Sequence, residues 1–547
     1  MAQPDAKQMC RWWEEEKTRR ALFDTHWEDA ARYVWPNQQD FVTTQRSPGE
    51  KRNLDIFDDT ATENSKRYAA VMEALLTRRS TRWHRIQASE KELRKSASVR
   101  DYFQQVEELL FKERESQGAN AYGACAQAYR SLGVFGNDGL FIDTRFEQGE
   151  PVGIRYKALD LRDLWVSRDW QDQPAVIFRR YELPVSQLAE KFGPERIPSH
   201  LMEKATQHPF DRAELLTVLY RNPEHQPASV FSKMWLAVEI LTTDKVTVSD
   251  GRGYAELPVI FSRAEVAPGE TYGRGPAMDV LPTIKTLNEM VKTMIRAAHK
   301  VADPPLLVAN DGVLGVTQAV RLRAGALTRG GLSIAGQELV KPLYTGGNVG
   351  INMETLQYFT QKLDRAFLVD LFTLLVEKPQ MTAAEILERA NEKGMFLGPI
   401  IGGQQSEKLA PMIEREIGLL ARMGRLPEPP EELIEAGGEY VLEYETPAAQ
   451  LQRAGQVQTI ESWLLSLQAL GQVDPGVLEV ADLEAAARRL GELRGVPAEL
   501  IRDPREVAMR RQAQLQKAQE QEALEALPVV AKGVKDLASI PATAGTA

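Results

Sequence analysis

Between Tyr272 and Val308 the chain reads YGRGPAMDVLPTIKTLNEMVKTMIRAAHKVADPPLLV, and this stretch constrains the fold more than any other. Val280, Ile284, Leu287, Val291, Met294 and Ala298 step by fours and threes, an apolar seam that should pack on neighbouring helices. Lys285, Lys292, Arg296 and Lys300 recur at helical spacing on another side. From Pro282, suited to a helix's first turn, to Ala302 such a helix spans about 31 Å at 1.5 Å per residue. Asp303-Pro304-Pro305 then stops it, because proline lacks an N–H and biases the residue before it away from helical geometry.

The cations do not belong to a generally basic protein, since the formal net charge is −10. On a monomer, one basic helix face is ordinarily solvated surface. The functional alternative needs multiplication: copies around a ring would each give one cationic rib to a pore, a sequence-independent attraction for phosphate. Overall acidity argues against a protein that coats DNA and leaves room for a local basic surface.

At 547 residues the chain exceeds one ordinary core, so two to four structural units are expected. With 43% hydrophobic and 26% charged residues it reads as a soluble globular protein. No run of about 18 apolar residues points to a membrane span, and MAQPDAKQMCRWWEEEKTRR lacks an apolar signal core. Cys10 and Cys125 are too few for a disulfide framework or a structural zinc site, which suits a reducing cytoplasm.

Residues 1–35 read as helix from the spacing of Trp12, Phe23, Trp27 and Val34, closed by WPN at 35–37. After a polar loop at 38–53, a second helix is expected over 58–78, with Asp58, Asp59 or Thr60 as cap. TRWHRIQ at 81–87 alternates like a short strand, and 97–131 reads as helix. From about 132 to 265 short runs rich in β-branched and aromatic residues predict a mostly β unit, with a helical insertion at 184–207. After Pro305 come Gly312, Gly315, Gly325, Gly330, Gly331, Gly336, Gly346, Gly347 and Gly350. Helix should resume at a cap on Asn352, with Leu356, Phe359, Leu363, Phe367, Leu371 and Leu374 in one stripe. EKPQ at 377–380 interrupts, and a capping box from Thr382 to Glu385 starts another helix. SEKLAPMIEREIGLLARMGRLPEPP gives one more, and 433–526 reads as mainly helical.

Enzyme signatures are missing. There is no GxxxxGK[ST], and GRG at 273–275 lacks a third glycine and the acidic residue about 20 positions on that would bind a ribose. Six histidines form no HExxH or related zinc pattern. DIFDD at 55–59 offers three carboxylates to a magnesium ion, but a solvated turn capping the next helix explains it more simply. The chain reads as a non-enzyme without cofactor or metal.

Two long helices flanking 304–349 can project that segment as a tip, with EKPQ returning at the base of the stalk. Together with F…HWEDAARYVWPN, DIFDDTATENSKRYAAVMEALLTRRSTRWHRI, the 272–308 block and MTAAEILERANEKGMFLGPIIGGQQSEKLAPMIEREIGLLARMGRLPEPP, this order resembles the phage portal proteins, specifically the podovirus-type head-to-tail connectors. The resemblance runs from about residue 10 to 455. It implies an α+β portal fold with a long helical stem, a mixed α/β wing holding a small β-barrel-like unit, a clip tip and a C-terminal helical crown. On this map 1–270 and 382–454 build the wing, with stem helices at 276–302 and 352–376. The clip takes 304–349, the tunnel loop 377–381 and the crown 455–526, and 527–547 is a disordered tail.

The resemblance also implies a ring, usually of twelve copies, at one capsid vertex. Its partners would be double-stranded DNA in the channel, the terminase large subunit, tail adaptor or nozzle proteins, scaffolding protein and the major capsid protein, with no membrane. It would be assembled in the host cytoplasm and reside in the virion. The stem face Lys285, Lys292, Arg296 and Lys300 would contact DNA, as would Glu377, Lys378 and Gln380 of the tunnel loop. Arg321, Arg323, Arg329 and Lys341 of the clip would meet terminase and adaptor. Periodicity leaves open whether the stem cations face the lumen or pair across subunit interfaces with residues such as Glu354 or Asp364. The alternative, of a different structural class, is a tail adaptor or other non-portal virion structural protein with a similar helical core, though adaptors are typically shorter. An enzyme acting on DNA would need the absent P-loop or metal cluster.

Overall fold

The structure, a computed structural model, describes residues 4–42, 49–79, 81–226, 233–249, 252–302, 306–308, 335–338, 340–342, 351–369, 399–445, 447–471, 476, 480–494, 496, 507, 509–514 and 516–517. It combines helices and strands and divides into two units. One comprises Met1–Thr81 with Lys112–Arg425, the other Arg82–Phe111 with Leu426–Ala547.

The first unit opens on α1 (Ala6–Val34), started by Asp5, whose side chain accepts the Gln8 N–H at 2.7 Å. Its buried face carries Met9, Trp13, Trp27, Ala30, Ala31 and Val34. Arg20 is buried there too, donating to the carbonyls of Leu161 (2.8 Å) and Leu164 (2.6 Å) and pairing with Asp24 at 2.8 Å. Helix α2 spans Thr60–Leu76, and Asp58 Oδ1 accepts the Thr60 N–H at 3.2 Å. The expected single helix over 97–131 is two, α3 (Ala97–Glu115) and α4 (Ala121–Phe135). Asn120 sits left-handed at φ 58 between them, and Ala119 O accepts the Tyr156 N–H at 2.9 Å, so a tertiary bond holds the break open.

Helix α4 ends on Gly136 at φ 73, where the YGRGP stretch crosses it backbone to backbone. A Cβ on Gly136 would lie 2.3 Å from Arg274 C, and one on Gly275 would lie 2.6 Å from Leu132 O. Asn137 locks the crossing: its Oδ1 accepts Gly273 N–H at 2.8 Å, while Nδ2 donates to the Gly273 and Phe135 carbonyls, each at 2.9 Å. The glycines of GRG serve close chain packing.

The β region follows the alternation of the sequence. Strands β2 (Asn137–Glu147) and β3 (Glu150–Leu159) form a hairpin. A second sheet holds β4 (Leu164–Arg168), β5 (Pro174–Pro184), β6 (Arg212–Arg221), β7 (Trp235–Leu241) and β8 (Val246–Thr247) in that order, with β9 (Arg252–Tyr254) on β7. Strand β10 (Val259–Arg263) pairs with β2, giving the order β10-β2-β3. Register places Phe178, Val218 and Val238 in one row beneath Met9 and Trp13 of α1. The expected insertion is α5 (Val185–Phe192) and α6 (Ser199–Gln207), whose Val185, Leu188 and Leu201 pack on Leu215 and Leu241.

Next come α7 (Pro276–Asp279) and α8 (Leu281–Ala302), then β11 (Leu306–Val308) antiparallel to β12 (Val340–Pro342). Helix α9 (Ile351–Ala366) begins one residue before Asn352, so that asparagine lies inside the first turn and is not the cap. The helix also stops at Ala366, with Leu368 at φ 58, so 352–376 is not one continuous helix. Burial of Leu363 and Phe367 agrees with the expected stripe. Leu371, Leu374, the Thr382–Glu385 capping box, Asp303-Pro304-Pro305 and the expected tail at 527–547 lie outside the described residues.

A continuous helix covers 399–422, widened into a π turn at Gln405–Leu409 and continuing as α10 (Ala410–Arg422). Pro411, with no N–H to give the preceding turn, accounts for the widening. This helix meets the β10-β2-β3 sheet through a polar ladder. Gln404 bonds Ser262 (3.0 Å) and the Arg263 carbonyl (2.8 Å), and Glu407 accepts the Arg263 guanidinium at 2.6 Å. Lys408 Nζ reaches Asp138 Oδ2 at 2.6 Å, with neither side chain exposed, and lies 4.0 Å from the Tyr129 ring centroid. Glu416 accepts from Arg114 and from the Tyr156 hydroxyl, each at 2.5 Å.

Removing one partner of a buried pair strands the other charge. Lys408→Ala should therefore lower stability by about 3–5 kcal/mol in urea unfolding. Lys408→Met with Asp138→Asn should recover much of it, because neither replacement carries a charge.

In the second unit β1 (His84–Ala88) pairs antiparallel with β13 (Tyr440–Tyr444), Ile86 opposite Leu442. The first strand was legible; the second interrupts a stretch expected to be mainly helical. Gly437 (φ 80) and Gly438 (φ 72) turn the chain before YVLEY, whose alternation then fits an edge on β1. Helices Pro447–Gly471 and Leu483–Arg494 follow and pack on each other. Glu107 of α3 is buried and accepts the Ile86 N–H at 2.6 Å. Burial pushes its carboxyl up to about 7, against the opposing pull of that N–H and of Arg85 and Arg82. A raised carboxyl favours the protonated fold, so this contribution is complete below 4.5 and is lost as pH rises through about 7. Urea titrations between pH 4.5 and 7 should show stability falling with pH, and Glu107→Gln should flatten that part of the profile.

Candidate nucleic-acid interface

The four cations of α8 share one face, within about 80° at 3.6 residues per turn. Their surroundings divide them. The first half of the helix is packed: Leu281, Thr283, Ile284, Leu287 and Asn288 are buried, and the helix contacts α1 and α9. Lys285 Nζ pairs with Asp29 Oδ2 at 2.9 Å and lies 5.6 Å from the Tyr33 ring centroid, both on α1. Lys292 Nζ pairs with Glu289 at 2.9 Å on its own helix and lies 5.4 Å from the Phe57 ring centroid. Arg296 and Lys300, in the distal half, are exposed and have no ion pair or hydrogen bond among the described residues.

Asn288 is the polar residue inside the apolar seam, and it explains DIFDD. Its Oδ1 accepts the N–H groups of Phe57 (2.7 Å) and Asp58 (3.2 Å), and its Nδ2 donates to Asp55 O at 2.9 Å. The turn is thereby fastened to α8. A hydrogen bond and the charge of Arg32 hold the Asp55 carboxyl below its usual range, with attraction from Lys292 added. Two of the three carboxylates of DIFDD therefore serve a turn: Asp55 pairs with Arg32 and Asp58 bonds the Thr60 N–H.

Distal to Lys292, Ile295 (39% exposed) and Val301 (60%) stand open on α8, and Met353 (56%) and Tyr358 (64%) on α9. Among the described residues, the chemistry on offer is a pair of unpaired point charges beside exposed apolar side chains, suited to phosphate attraction and to packing but not to reading bases. Glu354 is exposed on α9, while Asp364 accepts a hydrogen bond from Asn64 at 2.8 Å.

Of the remaining expected site residues, Lys341 is exposed on β12. Arg321, Arg323, Arg329, Glu377, Lys378 and Gln380 lie outside the described residues. The sequence reading missed Asp29, Tyr33, Phe57 and Asn288. Only Asn288 left a signal, as an asparagine one helical turn on from Ile284 and beside Leu287 of the seam.

Asn288→Ala should leave the Phe57 and Asp58 amides without their acceptor, at about 1–3 kcal/mol. Amide exchange at those two positions should accelerate, while exchange in β2 stays unchanged.

Residues 6–501 match the bacteriophage head to tail connecting protein family. Two relatives align nearly end to end. The chain is 25% identical to the "Probable portal protein" of Bordetella phage BPP-1, over 98% of this chain and 96% of that one. It is 23% identical to the "Portal protein" of Salmonella phage epsilon15, again over 98% and 96%.

Proposed function

The chain belongs to the bacteriophage head to tail connecting protein family, and on that premise we propose that it forms a closed ring at one capsid vertex, of the copy number that the family resemblance implies. Through it the terminase would drive double-stranded DNA into the head, and DNA would later leave through the tail. The role is structural: the terminase, not this chain, would hydrolyse ATP. The observation that carries the reading is the near end-to-end match to two phage proteins named as portals.

Helices α8 and α9 would form the stem, 304–349 the clip, 377–381 the tunnel loop, the β region with its flanking helices the wing, and the helices after 455 the crown. Supporting the ring, Ile295, Val301, Met353 and Tyr358 present apolar surface that a neighbouring copy would cover. Lys285 and Lys292 are neutralised within the subunit, which leaves Arg296 and Lys300 as the cationic ribs a passing polymer would feel. Phosphate-directed, weak contacts suit a moving substrate, because tight binding would stall it. Scaffolding protein, major capsid protein, terminase large subunit and tail adaptors would dock elsewhere on the ring, in the virion.

Negative-stain microscopy of the purified protein should show annular particles with a central hole; a monodisperse monomer under all conditions would sink the reading. Arg296→Gln with Lys300→Gln should keep the ring and reduce DNA packaged or retained per particle. The same change at Lys285 and Lys292 should act mainly on stability.

A further inference from the structure

A second unneutralised basic surface lies in the β region, away from α8 in sequence and in element. Arg155 and Lys157 alternate with buried Ile154 and Tyr156 along β3, so both stand on the solvent side, about 6.6 Å apart at two strand residues. Arg179 of β5 holds its guanidinium 4.7 Å from the ring centroid of Phe141, and Phe141 is the direct cross-strand partner of Lys157. None of the three has an ion pair or hydrogen bond among the described residues.

The carboxylates whose charges reach Arg179 are already engaged: Glu239 accepts Lys191 at 3.1 Å and Asp163 accepts Arg180 at 2.9 Å. Asp143, opposite Arg155, accepts Arg415 at 3.3 Å and the Thr144 N–H at 2.9 Å. Burial and the charges of Arg179 and Arg155 together hold the Lys157 ammonium below its ordinary pKa. Like charges kept this close raise the energy of the fold, and an approaching polyanion relieves it.

We propose that this face, with Arg155 and Lys157 exposed on it and the partly buried Arg179 adding its charge from behind, binds the phosphodiester backbone of a nucleic acid. An acidic peptide is less suited. Strand β3 is the sheet edge, but its Tyr156 N–H is bonded to Ala119 O and its Val152 carbonyl to Arg425 at 3.3 Å. The aromatic surface of Phe141 lies under Arg179. Neither a free ladder at those positions nor an apolar slot is left to grip a peptide, and charge is what remains. Contacts of this kind are sequence-independent and salt-sensitive. The assignment does not rest on the channel reading.

The test is anisotropy titration of a short mixed-sequence DNA duplex with the full chain, in the oligomer it forms, over a series of salt concentrations. Arg155→Gln with Lys157→Gln should weaken binding and flatten the slope of log K against log salt by about 1.8, at about 0.9 per phosphate contact. The charge-preserving Arg155→Lys with Lys157→Arg should bind as the parent does, which separates charge from folding. Arg296→Gln with Lys300→Gln, measured in parallel, reports the stem alone. Unchanged affinity and slope in the Gln pair would overturn the proposal and leave the channel reading standing. So would polyglutamate binding more tightly than duplex at equal charge, which would make this an acidic-protein site.

Discussion

A lysine and an aspartate, both without solvent exposure and 2.6 Å apart, fix the helix over 399–422 to the sheet beneath it. Desolvating two charges is expensive, and their attraction offsets this only in good geometry. Here Asp138 Oδ1 has no hydrogen bond among the described residues, so the pair is not saturated and is weak evidence for stability as such. Its stronger effect is on register. Lys408 is preceded by Glu407, so a one-residue slip would set a carboxylate against Asp138 in a dry interior. The same slip would take Glu416 away from Arg114 and Tyr156. Apolar packing tolerates such slips far better than charge does, and the ladder selects one alignment.

That alignment matters for the cation-bearing helix because the same sheet holds the crossing at Gly136. Strand β10 ends at Arg263, which Glu407 grips, and the chain then runs ten residues to Gly273, held by Asn137. Gly275 passes over the end of α4 with no room for a side chain, and α7 and α8 leave from there. The direction of α8 is thus set by backbone contacts at its root, then by Lys285 on α1 and Asn288 on the 55–58 turn. Among the described residues its distal half is held by far less, and the apolar and cationic side chains there are open.

Much of this was legible in sequence. Periodicity gave α1, α2 and the β region with its helical insertion, since these follow from local repeats that burial obeys; of the expected seam on α8 only Ile284 and Leu287 are buried, and Ala298 is exposed. What it could not give was decided by partners far along the chain. The break at Asn120 depends on Tyr156, and β13 depends on β1, more than 350 residues earlier in the register pairing Gln87 with Val441. The end of α9 at Ala366 falls inside an unbroken apolar stripe and has no sequence signature. The cations of the site were visible as a row; their neutralisation was not, because nothing local announces that Lys285 will meet Asp29.

The apparent conflict between a net charge of −10 and phosphate attraction dissolves at the scale on which charges act. At physiological salt the Debye length is about 8 Å, so a polyanion near the surface senses the local balance and little of the rest. Lys285 and Lys292, each with a carboxylate 2.9 Å away, act on it as short dipoles. Arg296 and Lys300, and separately Arg155, Lys157 and Arg179, act as charges. Counting basic residues along a helix therefore overstates the field. Two carboxylates, Asp29 and Glu289, turn a row of four cations into a distal pair at the end of the helix that is least tied to the rest of its unit.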